Sequence, residues 1–138
     1  MASMAAKVVA SYLDSKELHY QMLDEEETCM RVGMNLDNTR IDIYLFFEED
    51  NHDVHIVGRN FIKVPEDKLE KMYKVVNQQN KTYRWMKFTV NEDKGEVEVE
   101  DDAIIQLDTC GDEAFELIAR MSNIVDEAYP DLMKALWA

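Results

Sequence analysis

The chain has 138 residues, 46% of them hydrophobic and 32% charged, and a net charge of −14. A domain of this size buries roughly 70% of its unfolded surface, so the composition fits one soluble globular domain with one core. Phosphate binding needs a basic footprint and a membrane span needs ~20 apolar residues; the sequence offers neither, so nucleic acid and membrane are not expected partners.

From Ser3 to about residue 16 the chain reads as a helix, with Ala5, Val8, Val9, Tyr12 and Leu13 at helical spacing and Ser3 as N-cap. Residues 17–22 show no clear period, and the acidic run after them reads as a loop. Residues 29–36 alternate, with Met30, Val32, Met34 and Leu36 on one face, and Asp37-Asn38 signals a turn. Residues 39–48 form the most apolar predicted strand, and an acidic turn leads into a third strand ending at Lys63.

Val64-Pro65-Glu66-Asp67 starts a second helix, because proline suits its first position and acids suit its first turn. Its predicted buried stripe is Leu69, Met72, Tyr73 and Val76, fading near Asn80. Residues 84–100 then alternate with period two around Lys94-Gly95, the pattern of an antiparallel hairpin. Met86, Phe88, Val90, Val97 and Val99 share its apolar face, and Glu96, Glu98 and Glu100 form an acidic comb expected in water. A third helix follows Asp108-Thr109-Cys110-Gly111-Asp112, with Leu117, Ile118, Met121, Ile124, Val125 and Ala128 against the sheet. Pro130 is expected to kink or restart it at Tyr129, leaving a short terminal turn through Leu136 and Trp137. The predicted order is α-β-β-β-α-β-β-α: a single α+β domain over 1–138 with helices on an antiparallel sheet.

These elements resemble a known family. Val64-Pro65-Glu66 opens the middle helix and Val75-Val76-Asn77-Gln78-Gln79-Asn80 closes it. Trp85-Met86-Lys87-Phe88-Thr89-Val90, with Asp93 and Gly95, forms the hairpin, and Ala128-Tyr129-Pro130 with Leu132 and Leu136 ends the chain. With these residues the sequence resembles the YbjN-like proteins, labelled "putative bacterial sensory transduction regulator". The resemblance covers nearly the whole chain and implies the fold of type III secretion chaperones. It also implies a homodimer that binds other proteins.

Three acidic segments hold the whole net charge: residues 24–27, then Glu48, Glu49, Asp50 and Asp53, then residues 92–102. They read as solvated faces, with a basic protein or peptide partner left open. Two cysteines, Cys29 and Cys110, fit a reducing compartment, and the opening residues lack a secretory pattern, so the expected location is cytoplasmic.

No catalytic constellation emerges. Cys110 at a helix start is a candidate for a lowered pKa, but no signature supplies its base. His52 and His55 are three apart, which on a strand points them to opposite faces, a poor metal pair. In residues 91–95 glycine falls one place too early for a calcium loop. No glycine-rich loop cradles phosphates. The comb of Glu96, Glu98 and Glu100 makes a poor acid–base pair. No catalytic, metal or cofactor-binding residue is therefore assigned.

The second face of the sheet is the remaining feature. Ile41, Ile43, Leu45 and Phe47 alternate toward the core, which turns Tyr44 and Phe46 the other way. Val57 and Phe61 join them if Val54, Ile56 and Ile62 face the core, and Trp85 points away from Met86, Phe88 and Val90. A sheet face left in water should not carry such residues. Either a helix of the same subunit covers it, or a second subunit or client protein does. The expected activity is a non-enzymatic, dimeric, chaperone-like module that binds a protein or peptide through Tyr44, Phe46, Val57, Phe61 and Trp85. The alternative is a regulatory domain in bacterial signalling that acts through small-ligand or protein contact.

Overall fold

Ser3 caps the first helix, its hydroxyl accepting the Ala6 N–H at 3.2 Å. Asn51, from a distant loop, adds to the cap by accepting the Ala5 N–H at 3.0 Å. The computed structural model describes residues 3–137, so Met1, Ala2 and Ala138 of the expected 1–138 span, the first two also part of the leader reading, lie outside the described residues. The elements are α1 (Met4–Ser15), β1 (Gln21–Met22), β2 (Cys29–Asn35), β3 (Arg40–Phe47), β4 (Asp53–Lys63), α2 (Leu69–Thr82), β5 (Lys87–Asn91), β6 (Glu96–Ile104) and α3 (Cys110–Trp137). The predicted α+β order holds, with β1 added where the sequence shows no period. A single 3-10 turn, Glu66–Lys68, leads into α2.

The six strands form one sheet in the order β1-β2-β3-β4-β6-β5, every neighbouring pair antiparallel. The hairpin turns where predicted, with Gly95 at φ +64° and its N–H donating to the Asn91 carbonyl at 2.8 Å. One side of the sheet carries Met30, Val32, Ile41, Ile43, Leu45, Val54, Ile56, Met86, Phe88, Val97 and Val99, all essentially inaccessible. The buried sides of all three helices pack into the same cluster. At its centre Gly58 leaves room for α3: an added Cβ would lie 2.5 Å from Ile41, 2.7 Å from Val99 and 3.0 Å from the Met121 sulfur.

Three expectations change. Tyr73 is 38% exposed rather than buried, its hydroxyl reaching Glu92 at the hairpin, while Gln79 takes a buried place beside Met72 and Val76. The restart expected at Tyr129 does not occur, and α3 continues through Pro130 to Trp137 without a separate terminal turn. The acid comb is not held in water: Glu96 and Glu98 are each 8% exposed and only Glu100 is half-buried. The Arg59 side chain of β4 lies against Glu98.

Candidate functional site: the open face of the sheet

With the helices on one side, the other face of the sheet has no covering layer among the described residues. Strand alternation fixes its occupants. Tyr44 pairs with Arg31 on one side and Val57 on the other, and Phe46 pairs with Cys29 and His55. Tyr44 and Phe46 are half-buried and stack with ring centroids 6.5 Å apart. The His55 ring lies 6.1 Å from that of Phe46.

Charged groups frame these rings. Asp42, 9% exposed, accepts from Arg31 Nη2 at 3.1 Å, Asn60 Nδ2 at 2.8 Å and Arg40 Nη2 at 3.5 Å. The Arg59 guanidinium sits 5.2 Å above the Tyr44 ring, a cation–π contact. Its Nε is 3.4 Å from Glu98 Oε2, which accounts for the burial of that carboxylate. Burial, then a hydrogen bond and repulsion from Glu98, push the Glu96 carboxyl above the ordinary range. His55 Nδ1 lies 2.6 Å from Asp102 and its Nε2 lies 3.6 Å from Glu100.

The five predicted contact residues do not form one patch. Tyr44, Phe46 and Val57 share the open face, although Val57 is only 2% exposed between its cross-strand neighbours Tyr44 and Glu100. Phe61 is not on this face. Between Gly58 and Ile62 the register with β6 shifts, and Asn60 adopts φ +66°. Ile62 resumes the core side opposite Val97, and Phe61, inside the irregular stretch, also enters the core, edge-on to Phe88 with centroids 6.4 Å apart. Trp85 is elsewhere too. At φ +74° it turns away before β5 begins and stands 63% exposed in a groove with residues 101–105 and the α3 residues Leu117 and Arg120. Arg31, Asp42 and Arg59 are face residues without a signal in the sequence, and with His55 each holds an outward strand position beside Tyr44 or Phe46.

The reactive groups are quiet. Burial pushes the Cys110 thiol up rather than down, with Sγ 3.7 Å from the Ala5 carbonyl and 3.6 Å from that of Leu107. Burial likewise raises the Cys29 thiol. Among the described residues no group of three or more His, Cys, Asp or Glu is placed to hold a metal ion, and no helix is long and apolar enough to cross a membrane.

The fold is shared by solved structures. The Escherichia coli protein reported as "YbjN, a putative transcription regulator" is 10% identical, with 90% of each chain covered and a TM-score of 0.63. A chain of the ExsC–ExsE complex is 19% identical, covering 93% of this chain and 92% of its own, with a TM-score of 0.55. The type III secretion chaperone-like fold implied by the sequence is thus the fold observed. A search of curated proteins found no match. The family model YbjN, "Putative bacterial sensory transduction regulator", matches residues 5–132, and the chain belongs to that family.

Proposed function

We propose that this chain is a non-enzymatic, cytoplasmic protein-binding module, chaperone-like in its action, that works as a homodimer and holds a protein or peptide client. The observation that carries this reading is the helix-free face of the sheet, where Tyr44 and Phe46 stand among ion pairs. Interfaces combine a few aromatic anchors with a polar rim, and burying such rings removes roughly 150–250 Å² each from water. A chain of similar fold occurs in the ExsC–ExsE complex, which supports a protein as partner. The depressions lined by Glu48 and Asp53 and by Trp85 and Leu117 are open rather than sealed, which favours a macromolecule over a small ligand. With a net charge of −14, duplex DNA or RNA is not a partner in this reading.

Light scattering tests the dimer. The wild type is expected to be dimeric at ~50 µM, well above a micromolar Kd. Phe46→Glu is expected to be monomeric with unchanged circular dichroism. A wild-type monomer, or a Phe46→Glu dimer of equal affinity, would remove the open face from the dimer contact.

A further inference from the structure

β6 is paired unevenly along its length. β4 pairs with it out to Ile104, whereas its pairing with β5 ends at Glu100. Backbone direction alternates along a strand. Ile105 N–H donates toward β4, to the His52 carbonyl at 2.7 Å, so Asp102 and Ile104 turn their backbone toward the side that β5 leaves vacant. No strand stands opposite this part of the edge among the described residues.

The vacancy is apolar at its centre and acidic at its rim. Trp85 is 63% exposed and Ile104 78%, and with Leu117 they line a groove of about 570 Å³. Asp101, Asp102, Glu113 and Glu116 also line it, against Arg120, which is itself paired with Glu116 at 3.0 Å and lies 5.9 Å from the Trp85 ring centroid.

We propose that this groove docks an extended segment of another protein in which basic residues alternate with β-branched ones, added as a strand along residues 101–104. A vacant strand edge selects an extended chain through main-chain hydrogen bonds. The acidic rim selects a cationic one. A second copy of this chain would set one acidic rim beside another, and like charges brought together across strands destabilise a pairing. The site uses neither Tyr44 nor Phe46, so it stands apart from the open-face reading.

The probe is a synthetic peptide of about eight residues alternating lysine with valine, long enough at ~3.3 Å per residue to span the edge. In a Trp137→Phe background Trp85 is the sole indole, since the chain has two tryptophans. Titration is expected to shift Trp85 emission to the blue with a micromolar Kd that weakens with salt. The same peptide with alternate amides N-methylated, or with glutamate for lysine, is expected to bind at least ~tenfold more weakly. With fluorescently labelled peptide, Trp85→Gly (which accepts the positive φ) and Ile104→Lys are each expected to lose ~tenfold with unchanged circular dichroism, and Phe46→Glu to lose nothing. Equal binding of the N-methylated peptide, wild-type affinity in both groove variants, or no binding at ~1 mM would overturn the proposal. So would a change of oligomeric state in Trp85→Gly, which would assign the edge to self-pairing. Loss in Phe46→Glu alone would move the peptide to the open face.

Discussion

Asn38 and Asp126 join the β2–β3 turn to the middle of α3 through two hydrogen bonds. The Asn38 N–H donates to Asp126 Oδ1 at 2.7 Å, and Asn38 Nδ2 donates to the Asp126 carbonyl at 3.0 Å. That carbonyl lies four residues before Pro130, which has no N–H to give it. Asn38 therefore supplies the donor that the proline withholds, and the helix passes through Pro130 to Trp137.

Asn38→Ala is expected to cost about 1 kcal/mol in urea unfolding, the usual size of exposed hydrogen bonds. In a Pro130→Ala background the carbonyl regains a helical partner, so the same substitution should cost measurably less. Equal costs in the two backgrounds would show that Asn38 does not act through the proline.

Gly58 is where α3 approaches the sheet most closely. Gly58→Ala is expected to destabilise by about 1–3 kcal/mol through overpacking against Ile41, Val99 and Met121. Met121→Ala should recover part of that loss when combined with it. Denaturant midpoints of the single and double variants measure both effects, and a neutral Gly58→Ala would contradict the packing described.

Asn80 closes the outer edge of β5. Its Nδ2 donates to the Phe88 carbonyl at 2.9 Å and its Oδ1 accepts the Phe88 N–H at 2.7 Å, as a neighbouring strand would. Asn80→Ala is expected to cost about 1–3 kcal/mol by leaving both groups unpaired. Hydrogen exchange at the Phe88 amide should accelerate at the same time. An unchanged exchange rate would mean that another group protects that edge.

Glu96 sets a pH dependence. Because burial and Glu98 raise its pKa in the folded state, folding favours the protonated carboxyl. That contribution is complete below the ordinary glutamate pKa and is lost as pH rises through the folded value. Glu96→Gln is expected to raise stability at neutral pH, by no more than about 1 kcal/mol since the strand face is partly solvated, and to flatten the curve above the ordinary carboxylate range. Melting temperatures across that range measure it, and a less stable Glu96→Gln protein at neutral pH would contradict the assignment.

The sequence displays what depends on local period. Alternation from Met86 to Val99 and the Lys94-Gly95 turn define the hairpin, and Ile41, Ile43, Leu45 and Phe47 define the core side of β3. Non-local effects escape it. Phe61 obeys alternation only until the bulge at Asn60, and the one local sign of that bulge is an asparagine, a residue tolerant of positive φ. Trp85 lies beyond the end of β5, so extending the strand period to it misplaces the indole. The burial of Glu98 depends on Arg59 from another strand, and β1 is too short to show a period. Tyr44 and Phe46 are legible because β3 is regular from end to end.

A protein partner, the second subunit or a client, is expected on the open face. A photo-crosslinking residue placed at Phe46 in the living host, with one at the exposed Tyr73 on α2 as control, tests it directly. A discrete crosslinked product is expected from position 46, to a second copy or to one client, and none of comparable yield from position 73. Equal yields at the two positions, or no product at 46 while the protein remains folded, would contradict it.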